Sequence, residues 1–355
     1  MEQLTREIYS AYSEDILSFF IIKFQLGNYR LTPAESFQSV IYLCRSDKQP
    51  DFYLRITHSL HRSYSEIEAE LDWIDYISNV GEINVCNSVL SRDGRRLEPY
   101  SIEHKGFKTF FFAVLFEAVR GSHPATQLFS PAFESQENDK CAYDYGIVMG
   151  TLHRSSVEEI TNIRLLARPV WYEEDNYAIF KFNHLIEPKI FDKALRLIDQ
   201  AKSITSAPDQ FGLIHGDIHN GNVLIHDNKI HLIDFDGANF GWFVHDLAIS
   251  FFNLIDLGLS GTSRYPLSSR ALDSFWHGYL KHNRIKSEML SLIPLFFRLE
   301  EIGEYILIHR SLDLDKLPHA RAMFMRGRTK KIIEDTSFSD SIFEIIVESY
   351  NRNCV

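Results

Sequence analysis

The sequence predicts an α+β protein in two lobes, and three observations predict it. A chain of 355 residues that is 45% hydrophobic can bury more than one core. β-prone runs gather early, at residues 29–31, 40–44, 52–56 and 109–116. Helical periodicity dominates from about residue 143, interrupted by a hairpin signal between 223 and 235.

In chain order, residues 5–24 carry Ile8, Tyr12, Ile16 and Phe19 or Phe20 at helical spacing, which predicts a first helix. Strands 29–31 and 40–44 flank a loop at 32–39 that holds Ser36 and Ser39 but no G-x-G-x-x-G. Strand 52–56 carries Arg55. Ser63-Tyr64-Ser65-Glu66 has the S-x-x-E form of a capping box, and the helix after it aligns Ile67, Leu71, Ile74 and Ile77. Glu70 falls inside that apolar stripe, whereas Glu68 and Asp72 point away. A carboxylate on a buried face needs a partner, and Arg55 is the natural one. Glu66, at the margin of the stripe, is the alternative to Glu70.

Residues 89–97 pass through the turn signal Ser91-Arg92-Asp93-Gly94, and strand 109–116 follows. A helix from Tyr143 places Tyr145, Val148, Met149 and Leu152 on an apolar side, and His153 at its end reads as a packing or hydrogen-bonding residue. Residues 168–172 open an irregular acidic region whose aromatics could cap a substrate pocket but read more readily as core, and a helix runs over 188–201. Asp246 precedes an apolar helix, as a cap or a buried anchor. Further on, Leu292, Leu295, Phe296, Leu299 and Ile302 form a core face, and Arg298, Glu301, Tyr305 and Ile308 form a second face.

The chemistry concentrates in residues 213–236, LIHGDIHNGNVLIHDNKIHLIDFD. Turn-forming Asp and Asn separate two β-prone runs, which is a hairpin signal. Folding about Asn228 brings Asn222 and Asp234 roughly opposite each other, beside Asp217. Oxygen donors converging in this way suit a hard cation such as Mg2+. Asn222 stands five positions after Asp217, the period of the kinase catalytic loop H-R-D-x-x-x-x-N, and Asp234-Phe235-Asp236 stands where D-F-G follows such a loop. HGDIHNGN followed by LIDFD resembles the aminoglycoside phosphotransferase and choline kinase family, to which homoserine kinases and the bacterial stress response kinase A are also similar.

That resemblance covers about residues 25–310. It implies a bilobal protein-kinase-like fold, with a small N-lobe of antiparallel sheet and helix over residues 1–120 and a larger, mainly helical C-lobe over 121–355. It also implies transfer of the γ-phosphoryl group of ATP, with GTP left open, to a hydroxyl of a small molecule. Asp217 would take or orient the hydroxyl proton and meet the acceptor, Asn222 and Asp234 would hold Mg2+, and Asp236 would support that ion from behind, contribute to a second one, or contact the substrate. Ser36 and Ser39 would cover the phosphates, Arg55 fixed by Glu70 would neutralise them, and backbone groups between Glu117 and Gly121, including Val119, would meet the adenine. Arg55 departs from the usual Lys, a change that is not chemically neutral.

Only ten positions separate Asp236 from Asp246, too few for the activation segment on which protein kinases seat a peptide. The acceptor is therefore expected between residues 237–242 and the face bearing Arg298, Glu301 and Tyr305, with Trp242 beside it. Acidic and aromatic groups there suit an amine-bearing alcohol or an amino sugar, while Arg298 suits an amino acid such as homoserine. The rivals are a nucleotide-binding pseudokinase and a protein Ser/Thr kinase of the stress response type. The histidines 215, 219, 226 and 231 and the GDIH…GN run loosely resemble metallophosphoesterases, but the His expected after the GN is Val223. A capped turn without chemistry is the bland reading of Asp217 and Asn222.

A net charge of −11 argues against nucleic acid as a partner. Cys44, Cys86, Cys141 and Cys354 form no C-x-x-C pair, so a reduced, cytoplasmic protein is expected, without a leader or a membrane span and as a monomer or homodimer. No internal repeat or low-complexity tract is visible.

Overall fold

The structure, a computed structural model, describes residues 11–34, 36, 38–104, 106–124, 128–129, 134–159, 164–173, 178–204, 207–254 and 267–354. The chain divides into two compact units, Met1–Arg120 with Asn162–Arg168, and Gly121–Thr161 with Pro169–Val355.

In the first unit, helix α1 (Glu14–Lys23) buries Ile16 and Phe20. The start of the expected helix, before residue 11, lies outside the described residues. Strands β1 (Arg30–Ala34), β2 (Val40–Arg45) and β3 (Phe52–His58) follow, then helix α2 (Tyr64–Val80). The two-residue strands β4 (Asn84–Val85) and β5 (Ser88–Val89) precede the long hairpin of β6 (Leu97–His104) and β7 (Phe107–Glu117). The sheet runs β1-β2-β3-β7-β5, with β6 also on β7, and its pairings are antiparallel.

β1 extends to Ala34, so Thr32 and Pro33 belong to a strand and not to the expected loop. Proline is tolerated there because β1 lies at the sheet edge, where a missing N–H breaks no ladder. Strand β6 was not expected from the sequence: Pro99 and its polar residues hide a strand that, among the described residues, is bonded to β7 alone. Leu54, Ile56, Phe111, Ala113 and Leu115 of the sheet pack with Ile16, Phe20 and Phe24 into a core. Burying each large apolar side chain contributes roughly 1.5–3 kcal/mol.

The capping box of α2 is fully formed. Ser63 accepts from the Glu66 amide, and the Glu66 carboxylate accepts from the Ser63 amide at 2.8 Å. Gly81, at φ 78°, ends the helix in the left-handed conformation. Residues Asn162–Arg168 return to this unit, a detour that a single boundary at 120/121 omits. Arg168 donates to the Glu66 carbonyl at 3.1 Å, Arg164 reaches Asp72 at 3.5 Å, and Leu165 is buried.

The second unit is mainly helical. It opens with α3 (Gln136–Glu159), which starts before the expected Tyr143, then α4 (Ala178–Lys181) and α5 (Pro188–Lys202). Strand β8 (Phe211–Ile214) pairs with β11 (Asn239–Trp242), and between them lies the hairpin of β9 (Val223–His226) and β10 (Lys229–Leu232). Helices α6 (Phe243–Leu254), α7 (Ser269–Tyr279), α8 (Ser287–Leu290), α9 (Ile293–Ser311), α10 (His319–Met325), α11 (Arg328–Glu334) and α12 (Asp340–Asn353) complete it. α3 and α7 touch backbone to backbone, because a Cβ on Gly146 would strike Phe275 and one on Gly278 would strike Tyr143. The architecture is α+β, an antiparallel sheet with its helices followed by a mainly helical unit.

Among the described residues, no helix is long and apolar enough to cross a membrane.

Candidate active site

Two short ladders fix the loop that carries Asp217. β8 delivers the chain to His215, and β11 holds β8 in register, with Ile214 opposite Asn239. His215 is buried, and its Nε2 donates to the Ile233 carbonyl at 3.1 Å. Gly216 has φ 74°, and a Cβ there would strike the Asn239 side chain and the Gly237 carbonyl. Glycine meets both demands, which is why the loop reads His-Gly-Asp and not His-Arg-Asp.

Asp246, in the first turn of α6, anchors this loop from beneath. Its carboxylate accepts from the amides of His215 at 3.0 Å and Gly216 at 2.9 Å, and His153 Nε2 lies 3.4 Å away. Burial alone would raise the Asp246 carboxyl. The His153 hydrogen bond, the charges of His153 and His215 and the Gly216 amide outweigh burial and hold it below its ordinary value. His153, whose Nδ1 meets the Tyr279 hydroxyl at 2.8 Å, is a buried hydrogen-bonding residue.

Asp217 itself points outward, with its side chain 53% exposed. Asn222, closing the tight turn Asn220–Asn222, donates its amide to the Asp217 backbone oxygen at 2.9 Å and to carboxylate Oδ2 at 3.2 Å. The Asn222 carbonyl accepts from the Ile233 amide at 3.0 Å. Its Nδ2 is thus committed, which leaves Oδ1 as the oxygen to offer a cation.

The hairpin turn differs by one residue from the expected centre at Asn228. Asp227 (φ 49°) and Asn228 (φ 58°) form a two-residue loop of the kind that suits a hairpin twist, with His226 opposite Lys229. Asn222 therefore faces Ile233, and Asp234 comes one residue later. Asp234 is exposed and left-handed, at φ 60°, a conformation Asp adopts more readily than most residues. Asp236, two residues on in the turn Phe235–Gly237, is half-buried.

His219 is a residue that the sequence reading left without a role. Its Nδ1 accepts from the Gly221 amide at 2.9 Å, so the neutral ring carries its proton on Nε2, which lies 3.7 Å from Asp217 Oδ1. Burial disfavours its charge, but Asp217 and the charge of Asp234 outweigh burial and Arg321 and raise its pKa. Its position two residues after Asp217 was the available signal.

In the first unit, Arg55 Nη1 and Nη2 donate to Glu70 Oε1 and Oε2 at 2.8 and 2.7 Å, a buried fork-to-fork pair. Glu66, the alternative partner, is engaged by the capping box and by Arg62 at 3.4 Å. Ser36 is exposed and accepts from the Ser39 amide at 3.3 Å, while the Ser39 hydroxyl meets Thr57 at 3.0 Å. Glu35 and Phe37 of that loop lie outside the described residues. The Glu117 amide is bonded to the Asn87 carbonyl at 3.0 Å; Glu117 is exposed and Val119 half-buried.

The expected acceptor face needs correction. Trp242, Glu301 and Tyr305 are 2, 2 and 3% exposed. Trp242 pairs with Phe211, at the end of the ladder away from Asp217, and packs with Trp171 and Phe296. Glu301 is bonded to Arg328 at 2.6 Å and to Ser337, and burial keeps its carboxyl above the ordinary value. Tyr305 meets Thr329 at 2.9 Å. All three side chains are enclosed within their own unit, and Arg298 is bonded to Asp335 at 2.9 Å.

Among the described residues, no three His, Cys, Asp or Glu side chains gather as a metal cage. One carboxylate and one amide oxygen, from Asp234 and Asn222, suit a cation such as Mg2+ that takes its other ligands from phosphate and water.

The model of the Phosphotransferase enzyme family matches residues 30–285. An amicoumacin kinase of Bacillus subtilis (strain 168) is 25% identical over 311 residues, which cover 87% of this chain and 89% of that protein. Among solved structures, an amicoumacin kinase in complex with AMP-PNP, Ca2+ and Ami has a TM-score of 0.76 at 25% identity, covering 93% of this chain and 96% of that one. The microcompartment-associated aminopropanol kinase has a TM-score of 0.61 at 19% identity, covering 94% of this chain and 100% of that one, a likeness of fold alone.

Proposed function

The chain belongs to the Phosphotransferase enzyme family, matched over residues 30–285, and from that premise we propose that it moves the γ-phosphoryl group of ATP onto a hydroxyl of a small molecule. The protein is a kinase of the small-molecule phosphotransferase class. The observation that carries the reading is the exposed Asp217 carboxylate, oriented by the Asn222 amide on a loop bonded to buried Asp246.

In this reading Asp217 accepts or orients the hydroxyl proton of the acceptor. Its exposure suits contact with an incoming substrate, and its fixed geometry lowers the entropic cost of alignment. Asn222 and Asp234 offer the oxygens for Mg2+, with Asp236 close in sequence. When bound, the cation neutralises charge on the phosphate oxygens. Arg55, locked by Glu70, supplies fixed positive charge toward the phosphates. Ser36 and Ser39 cover the phosphates, and backbone groups of Glu117 and Val119 hold the base.

The acceptor is an alcohol that bears an amine. A net charge of −11 and the exposed Asp217 and Asp234 favour a cationic molecule. The kinases similar over most of the chain put amicoumacin first on the panel. Amino alcohols, amino sugars, aminoglycosides and homoserine follow it. Ten positions between Asp236 and Asp246, with α6 already begun at Phe243, leave little room for a peptide-seating segment. The test is a coupled ADP-release assay with each acceptor, with ATP or GTP and with or without Mg2+. Acceptor-dependent, metal-dependent release supports the proposal, and its absence across the panel contradicts it.

A further inference from the structure

The segment that opens the second unit lies along the strand next to Asn222. Ser122 and Ile225 exchange backbone hydrogen bonds, Ser122 N to Ile225 O at 3.0 Å and Ile225 N to Ser122 O at 2.7 Å. Gly121 lies so close that a Cβ would stand 2.9 Å from the Ile225 carbonyl. This backbone pairing aims the next residue, His123, at the turn Asn220–Asn222.

His123 Nδ1 lies 3.1 Å from the Asn220 carbonyl and 3.0 Å from the Val223 carbonyl. Both oxygens can only accept, so Nδ1 carries a proton and donates to the two together. Asn220 opens the turn and Val223 follows it, so one imidazole N–H ties together the two ends of the segment that contains Asn222. Within it, the Asn222 amide nitrogen donates to the His219 carbonyl at 2.9 Å and its carbonyl accepts from Ile233. Its Nδ2 is spent on Asp217. Every polar atom of Asn222 but Oδ1 is therefore tied, and His123 braces the turn that carries it, beside the turn's own Val223 N–H to Asn220 bond.

His123 is exposed, so it adds little to the core. We propose that His123 is a positioning residue for the Asn222 side-chain oxygen, and that it acts on divalent-cation binding and not on folding. The proposal rests on the reading of Asn222 as a cation ligand. Groups that orient a ligand from behind commonly change metal affinity by an order of magnitude or more. The Val223 amide also donates to the Asn220 carbonyl, so a Leu or Val at residue 123 would leave the Val223 carbonyl to water and the turn held by its backbone bonds alone.

The test is calorimetry of AMP-PNP binding to the full-length chain across a Mg2+ titration, beside thermal melts without nucleotide. His123→Ala is expected to raise the Mg2+ concentration at half-effect about tenfold, with the melting temperature nearly unchanged. His123→Asn, whose amide nitrogen overlays Nδ1, is expected to restore most of the affinity. His123→Gln, whose amide nitrogen overlays Nε2, is not. Equal Mg2+ dependence in His123→Ala and the parent, beside a weakened Asn222→Ala, would overturn the positioning role alone. An unchanged Asn222→Ala would remove Asn222 as a ligand and the proposal with it. Should His123→Ala fail to fold, the Asn and Gln variants decide, and equal behaviour of the two contradicts the proposal.

Discussion

The side-chain amide of Asn222 donates to Asp217 twice, to its backbone oxygen at 2.9 Å and to its carboxylate at 3.2 Å. A single asparagine thus orients the proposed base with its nitrogen and leaves its oxygen for a cation. In the proposed assignment, base and metal position are linked through one side chain.

Replacing the base separates chemistry from binding. Asp217→Asn keeps the size of the side chain and removes its basicity. Turnover is expected to fall on the order of 10²–10⁴-fold, while AMP-PNP affinity and melting temperature stay near those of the parent. Turnover measured beside calorimetry checks it, and a folded variant with parental turnover removes Asp217 from its role.

The two proposed metal ligands are expected to respond differently from the proposed base. Asp234→Ala is expected to abolish the Mg2+ dependence of nucleotide affinity, because it removes the one carboxylate of the pair. Asn222→Ala is expected to weaken that dependence and also to lower turnover, since it frees Asp217. Nucleotide binding at several Mg2+ concentrations is the readout, and parental affinity in both variants contradicts the assignment.

Arg55 and Glu70 form a buried, doubly bonded pair, so removing one partner strands the other's charge. Each single Ala variant is expected to lose roughly 3–5 kcal/mol of stability. The double variant is expected to lose much less than the sum. Chemical denaturation of all four proteins tests this, and additive losses mean that the pair is not coupled.

Asp246 predicts a pH dependence. Its folded-state carboxyl is held below the ordinary value, so its ionised form stabilises the fold above the unfolded pKa of about 3.9. That contribution disappears as pH falls from there through the lowered folded value. Asp246→Asn is expected to cost about 1–3 kcal/mol near neutral pH, since two loop amides lose a charged acceptor. The deficit is expected to shrink progressively as pH falls below about 4, and to vanish only below the lowered folded value, where the folded parent also loses its charge. Melting curves across pH check it, and a deficit that grows on acidification contradicts it.

What the sequence revealed about this molecule was local. The Ser63–Glu66 capping box depends on residues a few positions apart, where spacing decides the geometry, whereas the hairpin turn was legible as a turn but its register was off by one residue. The Arg55–Glu70 pair was legible because a carboxylate stood in an apolar stripe. Pairing at a distance was not legible: β8 ends at Ile214 and β11 begins only at Asn239, and no pattern in either strand announces the other. The acceptor face failed for a related reason. Helical spacing put Glu301 and Tyr305 on one face of α9, but it could not tell that Arg328 and Thr329 of α11 cover that face. His123 carried no local signal, because its role depends on carbonyls about a hundred residues away.

The central claim is that a phosphoryl group moves to the hydroxyl of a small molecule. The most direct measurement supplies γ-labelled ATP and Mg2+ with amicoumacin, amino alcohols, amino sugars, aminoglycosides and homoserine, beside casein and a lysate depleted of metabolites. The account predicts label in at least one amine-bearing alcohol, abolished in Asp217→Asn, with little in protein. Label entering casein or lysate proteins efficiently, and none of the small molecules, would contradict it.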